Sequence, residues 1–342
     1  MAALRGGVTM THSTHLHPFR VSGGDAAWAT TNALCSSDLF LRDGQISQTL
    51  WLDERARPLA DVYVARDDDA FVFLAETRGP DLAAHAKEHL RPGAVLEDLS
   101  ATHRVLSLNG PFAWELIGRL VGPEVVGLPY LNAFHLPQGW AFRAGKTGEY
   151  GYDLLVPNDA AVGLEARLLE EGKRFGLVSA DLDVLDQCAL ENWFFNVRKE
   201  GTLDLTPLEL QLQWRTSTSR EYVGSAALAA HREAGIRRRL VMATAPRAVA
   251  QGDTVRLFEE AVGTVANAGH APLRGDWVVL ALVDVRWAHP GIDAFEIDSA
   301  AGPVPARTVT PPLPNNLSLY VNLQQDSYAT RDEVRAAPLF AR

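Results

Sequence analysis

The side chains of this 342-residue sequence best suited to chemistry are carboxylates set among apolar neighbours. Glu191 lies on the run DQCALENW, which reads as a helix that wants to be buried, with Asp186 five residues earlier. A carboxylate aimed inward from such a helix needs hydrogen-bond donors as partners. Asp81 follows Gly79-Pro80 at the start of another helix, where an acid meets free backbone N–H groups. By itself it reads as a helix cap. Asp81, His85 and His89 recur at fourfold spacing and share one helix face. Residues 85–89, HAKEH, also fit the His-x-x-Glu-His spacing of inverted zinc proteases. With no third ligand identifiable, the stretch reads as a solvated face, and no metal site is expected. Histidines 12, 15 and 17 lack an accompanying carboxylate or cysteine and carry no metal signature either. Trp214, Tyr152 and Trp140 are aromatics equally suited to a planar ligand or to a core. No phosphate loop, Ser-His-Asp set, nucleophile elbow or nucleotide fingerprint is present.

These residues sit in a fixed order of segments. AFRAGKTGEYGYDLLVP places Thr147, Gly148, Glu149 and Gly151 in a turn between two strand-like runs. DQCALENW, GTLDLTPLELQLQW and REYVGSAAL follow. Together they resemble the glycine-cleavage T-protein (aminomethyltransferase) family over about residues 20 to 310. The family pattern is Thr-Gly-Glu-x-Gly-Tyr-Glu, Asp-x-Leu-Arg-x-Glu, Thr-Pro-x-Glu and Phe-x-Gly.

The resemblance implies a tetrahydrofolate-dependent transferase moving a methyl or aminomethyl group to or from a small substrate. It implies that Glu191 grips the pterin ring through paired donors, a bidentate charge-assisted contact. It places Asp81 beside the transferring carbon as the catalytic carboxylate, and Arg220, with Arg215 as competitor, at the folate glutamate tail. Tyr152 and Trp214 fall near the ring. Cys188 and Ala189 replace the family's Leu and Arg, and Leu74-Ala75 keeps only the Ala of the family's Asn-Ala. REYVGSAAL lacks the cysteine of the iron-sulfur-assembly branch, which favours the transferase branch. The alternatives are a non-catalytic folate-binding accessory protein and a T-protein-fold enzyme that has abandoned folate.

The elements that must position these groups read as α+β with antiparallel sheets. Residues 1–17 read as a disordered leader and residues 18–233 as two α+β subdomains of a folate-binding region. Residues 234–342 read as a C-terminal antiparallel β-barrel with a surface-wrapping tail. SQTLWLDERARPLADVYVARDDDAFVFLAE is a strand meander with Asp67–Asp69 at a hairpin tip. The formal charge of -10 argues against nucleic acid or an anionic membrane as main partner. Cys35 and Cys188 fit neither a disulfide framework nor a zinc spacing. No apolar run approaches the roughly 18–20 residues of a membrane span, and no secretory h-region is visible, so a cytoplasmic protein is expected.

Overall fold

The computed structural model of the protein describes residues 1–79 and 81–340. Pro80, expected in the first turn of a helix, lies outside the described residues. A six-stranded sheet runs in the order Val178–Ser179, Thr9–His12, His103–Asn109, Gly151–Pro157, Trp140–Arg143, Asn132–His135. A five-stranded sheet runs Ile46–Leu52, Pro58–Asp67, Ala70–Thr77, Leu16–Ser22, Val95–Asp98. Six further strands between Arg238 and Val309 close into the expected barrel. All pairings are antiparallel except that of Thr9–His12 with Val178–Ser179.

Strand periodicity decides which side chains can meet. Alternate residues of a strand face opposite ways. Val62, Val64, Phe71 and Phe73 pack under the helices Asp25–Leu34 and Leu82–Glu88. Tyr63, Ala65, Val72 and Leu74 face the other sheet and meet Val105, Phe142 and Leu155 there. The second layer of the six-stranded sheet, Leu106, Leu108, Tyr152 and Leu154, packs with the helix Ala113–Val121. Continuing the same alternation, Asp61, Glu76, Ser107, Asn109 and Asp153 belong to the inter-sheet faces. They are the polar extension of an apolar seam.

The expected leader requires correction. Residues 2–6 form a short helix, and Thr9–His12 is an interior strand of the six-stranded sheet. Val8 and Met10 are buried with Phe112, Leu116 and Ile117. Their spacing of two among Gly and Thr is a weak strand signal, which the small polar composition hides. The tail folds back onto the chain: Leu313 N–H donates to the Glu191 carbonyl at 3.0 Å, and Tyr328 packs edge-on to Phe112. No helix among the described residues is long and apolar enough to cross a membrane. Cys35 and Cys188 are both buried and unpaired, and burial pushes each thiol up to about 12.

Candidate active site between the sheets

Asp61 and Glu76 stand directly opposite each other on neighbouring strands. Like charges in cross-strand register repel, so a cation is needed between them. Lys146, from the turn AGKTGE, supplies it: Nζ lies 2.7 Å from Asp61 Oδ2 and 2.5 Å from Glu76 Oε2. Arg198 Nε donates to Glu76 Oε1 at 2.6 Å, and its guanidinium also bonds Asp186. On the far side of Asp61, Arg215 Nη1 donates to Oδ1 at 2.8 Å. Burial alone would raise the Glu76 carboxyl, but the Lys146 and Arg198 charges outweigh it and hold it at about 2. Burial would also lower Lys146, yet Asp61 and Glu76 together keep its pKa above the ordinary value.

This network borders two spaces. The first is an inter-sheet cavity of about 60 Å³ lined by Ser13, His15, Tyr63, Lys146, Asp153 and Arg198 among others. Burial lifts the Asp153 carboxyl to about 6, with the Ser107 hydroxyl bond and the Lys146 charge opposing. Ser107 donates to Asp153, and Ser13 and Ser107 share a 2.6 Å hydroxyl pair. Burial brings His15 down to about 4, against the pull of Glu76, so its imidazole is neutral near pH 7. The cavity therefore offers proton-holding groups beside fixed charges.

The second space, about 440 Å³, lies where the five-stranded sheet meets the barrel. Trp193, Phe194, Phe195, Trp214, Gln48 and Gln211 contribute to its lining. Gln48 is buried, and its Nε2 has no partner. The spaces share a wall: Arg215 and Phe195 line the pocket while Lys146 lines the cavity. Asp61 holds both cations, and Lys146 also donates to the Phe195 carbonyl at 3.0 Å.

Residues 1–220 match the GCVT N-terminal domain, and residues 238–313 match the glycine cleavage T-protein C-terminal barrel domain. The chain belongs to the glycine-cleavage T-protein family. It is 27% identical over 311 residues to an aminomethyltransferase of Corynebacterium aurimucosum, with 86% of this chain and 84% of that one covered. Against an aminomethyltransferase of Saccharopolyspora erythraea it is 26% identical over 323 residues, covering 91% and 88%. The crystal structure of glycine cleavage system aminomethyltransferase T from Bartonella henselae shares the fold, with a TM-score of 0.82 at 21% identity, covering 91% and 87%.

Within this T-protein fold the motif residues are not gathered at one place. Glu191 is 1% exposed and already satisfied: Arg5 Nη2 donates to Oε2 at 2.7 Å and Gln187 Nε2 to Oε1 at 3.1 Å. Arg5 also donates to the Thr147 carbonyl and to Asn316 Oδ1, tying the N-terminus, the turn and the tail together. Glu149 accepts from the Leu317 and Ser318 backbone and from the Ser318 hydroxyl. Gly148 sits at φ +77, and a Cβ there would come within 2.4 Å of Asn316, so this turn is shaped to receive the tail.

Asp81 is exposed and accepts from Ala84 N–H at 3.0 Å, which is the helix-cap alternative. It lines neither space. Tyr152 is fully buried on the opposite face of its strand from Asp153, in the core beneath the helices, so strand alternation turns it away from the seam. Arg220 donates to the carbonyls of Asn32, Cys35 and Ser37 and fastens the end of the helix Asp25–Leu34. Trp214, 67% exposed, does line the aromatic pocket, and Arg215 joins it there.

Sequence reasoning passed over Asp61, Glu76, Lys146 and Asp153. Their signal was available: each carboxylate interrupts the apolar alternation of a strand, in LADVYV, FLAET and GYDLLV.

Proposed function

We propose that the protein is a one-carbon group transferase in which a small substrate enters the inter-sheet cavity and tetrahydrofolate occupies the aromatic pocket. The observation that carries this reading is the shared charged wall, with Asp61 bracing Lys146 on one side and Arg215 on the other. A transfer between two molecules requires that donor and acceptor be held in line, which is worth a large effective molarity. Lys146 lines the cavity and Arg215 the pocket, and Asp61, which lines neither, joins the two cations between them.

The pocket suits a pterin. Its volume of about 440 Å³ lies within the ordinary range for small-molecule sites, whereas the cavity of about 60 Å³ takes only a small substrate. Trp214, Trp193 and Phe194 offer aromatic surface, and Gln48 and Gln211 add amides to the lining. Tetrahydrofolate, when bound, supplies the nitrogen that carries the one-carbon unit. Asp61 acts as a positioning residue that fixes Lys146 and Arg215. In the cavity, Asp153 near pH 6 and neutral His15 hold and move protons for a substrate amine, hydroxyl or thiol.

The engagement of Glu191 by Arg5 favours a second reading, a transferase of this fold that works without folate. Anaerobic calorimetry with reduced tetrahydrofolate separates the two. Saturable binding weakened by Gln48→Leu and Trp214→Ala supports the pocket assignment. Binding abolished by Glu191→Gln alone would return the pterin to Glu191, and no binding by the folded protein would leave the second reading.

A further inference from the structure

We infer that His85, Glu88 and His89 form a site for a divalent transition metal ion, zinc foremost. One donor atom from each of the three lies within 4.8 Å of the others, and no other such group of His, Cys, Asp and Glu occurs among the described residues. A solvated helix face would leave both imidazoles in water. Instead His85 is half-buried against Trp51, with ring centroids 6.1 Å apart, and its Nε2 is sealed from solvent without a hydrogen-bond partner. The His85 and His89 rings stand edge to face at 4.9 Å. Two imidazoles a helical turn apart are a natural chelating pair.

Metal–nitrogen bonds of about 2.0–2.1 Å place tetrahedral ligands about 3.3 Å apart. The observed spread therefore closes by rotation of the exposed Glu88 and half-buried His89 side chains, without movement of the helix. Glu88, Glu54 and Asp53 are the acidic groups whose fields reach His85. Glu54 also lines the same surface depression as His89, with Arg91 as the cation beside them. Two imidazoles with a carboxylate suit zinc, nickel or copper over calcium and magnesium. The site lies outside the inter-sheet cavity and the aromatic pocket, so it stands independently of the proposed reaction.

The test is zinc titration of chelator-stripped full-length protein by calorimetry, with circular dichroism to confirm folding of each variant. One ion per chain is expected, with His89→Ala and Glu88→Gln each weakening binding, the former at least about tenfold. A His12→Ala/His17→Ala variant should bind as the wild type does. No saturable binding, unchanged affinity in His89→Ala or Glu88→Gln, or loss of binding in the N-terminal variant would overturn the assignment.

Discussion

Two carboxylate-centred regions of this protein invite the same reading and play different parts. Around Glu191 the motif carboxylates are paired internally: Arg5 and Gln187 donate to Glu191, and the tail donates to Glu149. Around Asp61 and Glu76 the carboxylates are also paired, but their cations face open volume on two sides. A sequence motif marks where the chain must be exact, and that demand comes as readily from closing a fold as from binding a ligand. Open space beside balanced charge is the better guide to chemistry.

The comparison is broken or sharpened first by removing one carboxylate from each region. Asp61→Ala leaves Arg215 without its carboxylate and Lys146 with Glu76 alone, and Glu191→Ala leaves Arg5 with Thr147, Asn316 and the more distant Glu149; each should cost up to about 3–5 kcal/mol in chemical denaturation, the range for loss of one partner from a buried pair. If the regions differ as argued, the milder Glu191→Gln variant retains tetrahydrofolate binding, whereas Asp61→Asn loses transfer activity.

Acid should act on the Asp61–Glu76 region next. The Glu76 pKa is about 2 in the folded protein against an ordinary 4.5, so the unfolded chain takes up the proton first. Its contribution, about 3 kcal/mol, is complete above the ordinary value and is lost as pH falls toward 2. Denaturation curves of wild type and Glu76→Gln should converge in that window.

Asp153 has the opposite sign and a slightly smaller effect. Its folded pKa of about 6 exceeds the ordinary 3.8, so the folded state keeps the proton longer. Its contribution is complete below the ordinary value and lost as pH rises through 6. Asp153→Asn should therefore gain stability relative to wild type between those values, read as a difference in urea midpoints. An unchanged difference would remove Asp153 as a proton-holding group.

The smallest expected effect is Trp214→Ala. Loss of one aromatic contact, about 0.5–1.5 kcal/mol, should weaken the proposed tetrahydrofolate binding by roughly twofold to tenfold in a titration followed by tryptophan fluorescence.

Much of the fold was legible in the chain. The meander Ile46–Thr77 and the barrel from Arg238 announce themselves through alternating apolar residues and Gly or Pro breaks. Thr9–His12 did not, because its inward-facing side chains are few and its neighbours small. The active-site candidates were harder for a different reason. Asp61, Glu76 and Asp153 lie far apart in sequence, and only sheet register brings the first two opposite each other and the third across the seam. Trp214 could be picked out as an aromatic near the site, but the alternation that sends Tyr152 into the core and Asp153 into the cavity is visible only once the sheet faces are assigned.

The clasp of Arg5, Glu191 and Asn316 also sets an order on biosynthesis. Asn316 leaves the ribosome 311 residues after Arg5, and a hydrogen bond of 2.6 Å joins the two. The sheets and barrel can form as their strands emerge, since domains generally fold as units during synthesis. Glu149, whose principal donors are Leu317 and Ser318, must wait. Until residues 317 and 318 have emerged, the nascent protein lacks the backbone and hydroxyl donors that satisfy the buried Glu149 carboxylate.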